Sequence, residues 1–222
     1  MGIGQFSVHG DEFIGAYCIV SDSICVTGSK LKKSDFELFE KALLLTPVHL
    51  TAAGSDLIGL FGRANKNGVL LSNSIYESEL RHFKENLKDI HIEILDSDLN
   101  AIGNNILVND KIAIVNTDYK EKDIKRIKDV FDVEVMQLEI AGYKTVGSHN
   151  ILTNKGFVVN NNVSDEEFES LKSISKSISQ STANLGSLSI GISVVANSNG
   201  VLFGKSTSGY EMASIQDGLD LE

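Results

Sequence analysis

The sequence has little cysteine or proline. The first shortage bears on zinc sites and disulfides, and the second on linkers between domains. Its two cysteines, Cys18 and Cys25, stand in a Cys-x6-Cys spacing with no second cluster of Cys or His, which fits no zinc site. Disulfides are rare in a reducing cytoplasm, so small buried thiols on the two arms of one hairpin are predicted. The single proline, Pro47, and the lack of low-complexity runs leave no sign of a linker. Residues 1–222 are therefore expected to form one domain.

Positive charge is also scarce. Lys and Arg total 20 against 30 Asp and Glu, which gives a formal net charge of −10 at pH 7. A protein that binds nucleic acid through phosphates needs clustered basic side chains. The most basic run, residues 120–128, is interleaved with acidic residues and is predicted to be a solvated helix face. Extensive RNA contact is therefore not expected, and a basic protein partner is favoured.

The sequence also lacks long hydrophobic runs, phosphate-binding loops and metal-ligand clusters. No apolar run could span a bilayer, and the first residues do not resemble a signal peptide, so no membrane contact and a cytoplasmic location are expected. Gly2-Ile3-Gly4 has no helix after it and is not a phosphate loop. No two histidines have metal-ligand spacing, and the acidic residues around Asp96 and Asp110 fit no calcium loop. Neither a metal nor a cofactor is expected.

What the sequence does contain is a repeat of 44 residues. Glycine recurs at this interval through the whole chain, and each of these glycines follows an aliphatic residue. Five glycines at one interval indicate five copies of one supersecondary unit. A ring or stack is therefore predicted, with any site near its symmetry axis. The repeat glycines are Gly15, Gly59, Gly103, Gly147 and Gly191.

Each repeat also carries the pattern of an amphipathic helix. At 21, 24 and 28 residues after the repeat glycine, every side chain except Ser175 is large and apolar. These spacings put the three side chains on one helical face. A Ser followed by Glu three residues later is typical of a capping box. This pattern predicts helix starts, at offsets that differ between repeats, at Ser34, Ser74, Ser164 and Ser208.

Short strands are predicted on both sides of each helix. Turn signals such as Asn67-Gly68 and Asn199-Gly200 indicate a hairpin before the helix, and apolar runs at 48–51, 91–95 and 133–138 indicate a third strand after it. The serine-rich stretch 173–181 is interpreted as a helix end, and 180–189 as an irregular connection. The fifth β-β-α-β unit lacks its third strand. Residues 3–8 are predicted to supply it and to close the ring, which removes an exposed sheet edge.

Several short motifs strengthen this interpretation, and their order and spacing extend over the whole chain. They are Ile14-Gly15-Ala16-Tyr17, Leu99-Asn100-Ala101-Ile102-Gly103-Asn104, Asn109-Asp110, Val133-Glu134-Val135, Val146-Gly147-Ser148 and Ala183-Asn184-Leu185-Gly186-Ser187. With the five β-β-α-β units, they make the sequence resemble the pentein fold, a closed α/β propeller with pseudo-fivefold symmetry. Within that fold, the sequence resembles the translation initiation factor six family.

The resemblance implies binding to the large ribosomal subunit on the face that meets the small subunit. Contact would be mainly with a ribosomal protein, with minor RNA contact. There the protein would sterically prevent the two subunits from associating, as a monomeric and non-enzymatic factor in initiation or ribosome biogenesis. The sequence ends soon after the fifth helix, without the longer C-terminal tail of eukaryotic members, so an archaeal-type factor is expected.

Symmetry places the residues that follow each repeat glycine at one mouth of the ring. This group is uncharged and mixes apolar with hydrogen-bonding side chains, which suits the centre of a protein–protein contact. The resemblance associates Asn104 with subunit binding, and a basic residue found in some relatives is replaced here by Leu60. In the alternative interpretation these residues only close the core of the ring. The predicted binding residues are Ala16, Leu60, Asn104, Asn105, Ser148, His149 and Ile192.

Two other functions stay open. Some pentein proteins are hydrolases or transferases that act on guanidino groups through a Cys nucleophile with a His partner. The fifth repeat, where that Cys is expected, has none, and no histidine follows His149. An enzyme is therefore not predicted. A ring-shaped adaptor for another partner would have the same fold.

Overall fold

The computed structural model describes residues 2–221, and it shows five three-stranded sheets of one design. In each sheet the middle strand pairs antiparallel with the preceding strand and parallel with a third strand, which in four of the sheets follows a helix. The second sheet, for example, joins Gly62–Ala64, Gly68–Ser72 and His91–Leu95. The strands are β1 Gly2–Phe6, β2 Cys18–Val20, β3 Cys25–Thr27, β4 Val48–His49, β5 Gly62–Ala64, β6 Gly68–Ser72, β7 His91–Leu95, β8 Ile106–Val108, β9 Ile112–Val115, β10 Glu134–Gln137, β11 Ile151–Leu152, β12 Gly156–Asn160, β13 Ser177–Ser181, β14 Val194–Asn197 and β15 Gly200–Gly204.

The first strand of the chain completes the last sheet, as the sequence predicted. Strand β1 lies parallel to β15, with Gly2 opposite Gly200 and Phe6 opposite Gly204. The N-terminal segment therefore takes the place that β4, β7, β10 and β13 take in the other sheets. The α/β pentein-type arrangement of five repeats is confirmed.

Each repeat contains one long helix and one short helix. The long helices are α1 Lys33–Leu43, α2 Glu77–Asn86, α3 Glu121–Phe131, α4 Asp165–Leu171 and α5 Gly209–Gly218. The short helices contain the repeat glycines and span Ile14–Tyr17, Ile58–Phe61, Ile102–Asn105, Val146–His149 and Ile190–Ser193. Tyr17 ends the first short helix.

The long helices pack their apolar stripes against the sheets. The residues 24 positions after the repeat glycines are all buried, and so is the large aromatic Phe131 on the same kind of face. Full burial of one such side chain contributes about 1.5–3 kcal/mol to folding. Five separate buried clusters result, in line with five repeated units. The buried helix residues at that position are Phe39, Phe83, Ile127, Leu171 and Ile215.

Two of the four predicted helix starts were wrong. Ser164 and Ser208 cap α4 and α5, and each accepts a hydrogen bond from the backbone of the Glu three residues on. Helices α1 and α2 begin instead after Lys32 and Tyr76. Lys120 precedes α3 in the same way, so the residues before all five long helices lie at the same distance from their repeat glycines. The common fold overrides the local signals at Ser34 and Ser74.

The serine-rich stretch was also misinterpreted. Helix α4 ends at Leu171, and Ser177–Ser181 forms β13. The Ser179 hydroxyl donates a hydrogen bond to the Ser214 carbonyl of α5 at 2.7 Å, and the Ser177 hydroxyl donates one to the Asp217 carbonyl at 2.9 Å. These serines therefore serve as strand residues that bind a neighbouring helix. Among residues 2–221, no helix has the length and hydrophobicity needed to cross a membrane.

Candidate functional site

The five short helices form a closed circle at one end of the molecule, which we call the helix mouth. Each short helix contacts its two neighbours in chain order, and Ile190–Ser193 returns to Ile14–Tyr17. A Cβ on any repeat glycine would run into the carbonyl oxygen of the glycine one repeat earlier, and for Gly15 into that of Gly191. Only glycine permits this close approach of backbones. The 44-residue period therefore reflects how the ring closes.

All seven residues predicted to bind a partner lie on these short helices. Leu60, Asn104, His149 and Ile192 are partly exposed. Ala16, Asn105 and Ser148 are buried, and Asn105 and Ser148 have internal hydrogen bonds. The structure thus brings the seven together, but the three buried residues offer little surface to a partner. A binding role for any of them stays a prediction.

Asn104 has a polar atom whose hydrogen-bonding capacity is unused. Its Oδ1 is buried and has no hydrogen-bond partner among residues 2–221. Buried polar atoms nearly always have a partner, and an unpaired one is unfavourable. Because the oxygen has no exposed surface in this conformation, a donor on a partner could pair with it only after the Asn104 side chain turns outward.

His149 forms an aromatic pair that the sequence did not indicate. Its ring stacks on Tyr143, with ring centroids 4.0 Å apart and planes 10° from parallel. Its Nδ1 lies 2.9 Å from the Ser148 hydroxyl and 3.2 Å from the Thr145 hydroxyl. These contacts hold the ring in one orientation. The pair adds a rigid, partly exposed aromatic surface to the helix mouth.

Arg63 occupies the axis behind the helix mouth, and sequence reasoning missed it. Its guanidinium donates hydrogen bonds to the carbonyl oxygens of Gly59 at 3.0 Å, Gly147 at 3.2 Å and Gly103. Its Nε donates to the Ile106 carbonyl at 3.1 Å. Burial lowers the pKa of Arg63 to about 10, so it stays charged at neutral pH. The sequence did contain a signal for Arg63, because it is a charged residue at a position that is apolar in the other four repeats. The corresponding residues there are Ile19, Leu107, Ile151 and Val195.

The opposite end of the ring, which we call the turn mouth, is formed by the hairpin turns. Its polar groups bind one another around the circle. Asp110 accepts a hydrogen bond from the Lys66 N–H at 2.9 Å, and its own N–H donates to Asn154 at 2.8 Å. The Asn154 amide and the Ser198 N–H both donate to Asp22 at 2.8 Å. These polar atoms of the turn mouth are therefore already paired, whereas the buried Ser198 hydroxyl has no partner among residues 2–221.

The thiols are poor candidates for a nucleophile. Cys18 and Cys25 are both free and buried. Burial raises the pKa of the Cys18 thiol well above its usual value and that of Cys25 to about 12. A nucleophilic cysteine needs a lowered pKa. Within residues 2–221 no three His, Cys, Asp or Glu side chains are placed to hold a metal ion.

Comparison with known proteins agrees with this architecture. The family model described as "eIF-6 family" matches residues 3–218. The chain belongs to the eIF-6 family. It is similar to the translation initiation factor 6 of Nitrosopumilus maritimus, with 41% identity over 213 residues, 96% of both chains. It is also similar to that of Saccharolobus solfataricus, with 37% identity over 221 residues, 99% of both chains.

The family inferred from the sequence motifs is therefore confirmed. The translation initiation factor 6 of Picrophilus torridus is 31% identical over 223 residues and also matches over nearly its full length. Membership of the eIF-6 family groups this chain with translation initiation factors rather than with guanidino-modifying enzymes.

Proposed function

We propose that this translation initiation factor binds the large ribosomal subunit through its helix mouth and keeps the small subunit from joining. The factor acts by occupying space and catalyses nothing. The observation that carries the proposal is the partly exposed surface that Leu60, Asn104, His149 and Ile192 form at the helix mouth, without Asp, Glu, Lys or Arg among them. Family membership supplies the ribosomal context.

The chemistry of the helix mouth suits a protein partner. Interface centres are poor in charged residues and rich in aromatic and apolar ones. Leu60 and Ile192 supply apolar surface, and the stacked His149 and Tyr143 supply a rigid aromatic one. Asn104 supplies a partly exposed amide whose oxygen a partner N–H or O–H can reach once the side chain turns outward. In this proposal the main contact is with a ribosomal protein, and the RNA contact is minor.

The size of the contact follows from general interface dimensions. A stable interface buries about 800 Å² on each partner. The helix mouth alone is too small for that, so the contact extends over the loops that surround it. A monomer in the cytoplasm that presents this one face is sufficient to block subunit joining.

Co-sedimentation with purified subunits tests the proposal. The factor is expected to pellet with large subunits and not with small ones, and to reduce the formation of joined ribosomes. Equal pelleting with both subunits, or with neither, would reject the proposal.

A matched pair of variants locates the surface. Asn104→Lys puts a bulky charge at the centre of the helix mouth and is expected to weaken large-subunit binding about tenfold or more. Asn86→Lys makes the same change on the exposed end of α2 and is expected to leave binding unchanged. If both variants bind like the unmodified protein, the binding surface lies elsewhere.

A further inference from the structure

The repeats contain a clamp in which a carboxylate holds a loop. In the second repeat, Glu79 of α2 accepts hydrogen bonds from the N–H groups of Ala53 at 2.8 Å and Gly54 at 3.0 Å. It also accepts one from the Thr51 hydroxyl at 2.9 Å and one from the Tyr76 N–H at 2.9 Å. Four donors therefore converge on one planar carboxylate.

The fifth repeat has the same clamp. Glu211 accepts hydrogen bonds from the N–H groups of Leu185 at 3.3 Å and Gly186 at 2.8 Å, and from the Thr182 hydroxyl at 2.7 Å. The fourth repeat keeps part of it, because Glu167 accepts from the Ala141 N–H at 2.8 Å. A carboxylate is the group that these loops are shaped to bind.

The first repeat has the loop but lacks the clamp. His9 and Gly10 have positive φ angles of 52° and 88°, as Ala53 and Gly54 do at 56° and 69°. The helix residue that corresponds to Glu79 is Asp35, whose side chain is one methylene shorter. Among residues 2–221 the N–H groups of His9 and Gly10 and the hydroxyl of Ser7 have no acceptor.

A cleft separates this loop from the helix. It measures about 320 Å³, and Ser7, His9, Gly10, Lys32 and Asp35 all contribute to its walls. From the residues that the structure describes, the Asp35 carboxylate accepts only a long hydrogen bond of 3.4 Å, donated by the Ser34 hydroxyl. The donors that converge on a carboxylate in the second repeat therefore face open space in the first.

The cleft is also the place where an acidic protein is locally basic. Lys30, Lys32 and Lys205 line it, all three are exposed, and none forms an ion pair within residues 2–221. Asp35 is the one acidic side chain among the described residues that line it. Three unpaired cations around two free N–H groups attract a negatively charged group.

The third repeat shows that an aspartate can hold the loop when the loop has a different conformation. Asp123 accepts hydrogen bonds from the Ser97 hydroxyl and the Lys120 N–H, each at 3.2 Å. The loop at Ser97 has no residue with positive φ. The first repeat instead combines the loop of the glutamate repeats with a shorter acid.

We infer that this cleft binds a carboxylate from an acidic segment of a partner protein. The carboxylate of the partner takes the place that Glu79 and Glu211 take in their own repeats. The lysines neutralise the other acidic side chains of the partner segment. Asp11, in the same loop, accepts a hydrogen bond from the Tyr17 hydroxyl at 2.9 Å. The cleft therefore flanks the helix mouth. It does not depend on the large-subunit proposal.

Titration of the ¹⁵N-labelled full chain with an acetylated tetraglutamate amide tests the inference by NMR. The amide signals of His9 and Gly10 are expected to shift, and those of Ala53 and Gly54 to stay, because Glu79 already occupies their donors. The neutral tetraglutamine peptide is expected to shift neither pair. No shift at His9 and Gly10 overturns the inference. So does a shift caused by a hexauridylate RNA and not by tetraglutamate, because the site would then bind phosphate.

Changes at Asp35 provide the decisive variants. Asp35→Glu supplies the missing methylene, so its own carboxylate takes the donors and weakens tetraglutamate binding about tenfold or more. Asp35→Asn keeps the short side chain and removes a repelling charge, so binding is retained or becomes tighter. If Asp35→Glu binds as tightly as the unmodified chain, or if Asp35→Asn loses binding, the inference is wrong.

Discussion

The two ends of the ring have the same symmetry but use their polar groups differently. At the turn mouth, side chains such as Asp22, Asp110 and Asn154 bind the backbone of neighbouring repeats. At the helix mouth, glycine packing and Arg63 hold the backbone together instead. Some side chains there, such as Leu60, Asn104 and Ile192, stay partly exposed and can meet a partner. A repeated fold can thus stabilise one end with side chains and reserve those of the other end for binding.

The largest expected effect comes from the helix-mouth backbone. Gly103→Ala places a methyl group against the Gly59 carbonyl, which has no room to move inside the ring. We expect the free energy of unfolding in urea to fall by about 3 kcal/mol. Gly209→Ala is the control, since a Cβ there meets nothing within 4 Å. Equal stability of the two variants would show that the glycine contacts do not hold the ring.

A change in the turn mouth is expected to affect stability but not binding. Asp110→Ala leaves the Lys66 N–H without its acceptor and removes one of the two acceptors of the Asn154 amide, and it is expected to cost about 2 kcal/mol. Asp129→Ala, on the exposed face of α3, serves as the control and should cost nothing measurable. If Asp110→Ala folds but no longer binds the large subunit, the claim that only the helix mouth binds the subunit is wrong.

Alkaline pH is expected to destabilise the protein through its buried thiols. Burial raises the pKa of Cys25 to about 12 and that of Cys18 well above its usual value, whereas both ionise near pH 9 once unfolded. Their stabilising contribution is complete below pH 9 and is lost as the pH rises towards 12. The slope is about 1.4 kcal/mol per pH unit for each thiol. Urea unfolding between pH 8 and 11 should show a shallower slope for Cys25→Ala, and an unchanged slope would contradict this origin.

The smallest expected effect on stability is at Asn104. Asn104→Ser removes the unpaired oxygen and should change the free energy of unfolding by about 0.5 kcal/mol or less. Large-subunit binding should nevertheless weaken. A loss of stability well above that value, measured by the same urea titration, would mean that Asn104 serves the ring instead of a partner.

Much of the fold could be predicted because its signals repeat. The glycine period and the apolar face that includes Phe39 and Phe83 recur in every unit, so an error in one unit is corrected by the others. The helix starts at Ser34 and Ser74 failed because the shared geometry of the repeats outweighs a local capping signal. Strand Ser177–Ser181 was missed because its serines bind carbonyls of α5, a contact that leaves no hydrophobic pattern.

The candidate site was harder to predict, because it depends on departures from the repeat. Arg63 is the one charged side chain among five equivalent positions. The stack of Tyr143 on His149 joins residues that no period links. The consequence of the short side chain of Asp35 is seen only by comparison with Glu79 and Glu211, whose carboxylates bind the loop. Such features become interpretable once the symmetric frame is known.

Thiol protection offers the most direct test of the helix mouth as the ribosome-binding face. The native thiols are buried, so maleimide reports on one introduced cysteine at a time. Leu60→Cys labels the helix mouth and Lys66→Cys labels the turn mouth, at positions that are partly exposed and exposed. Purified large subunits are predicted to slow modification of Leu60→Cys and to leave that of Lys66→Cys unchanged. Protection of Lys66→Cys with Leu60→Cys still reactive would contradict the account.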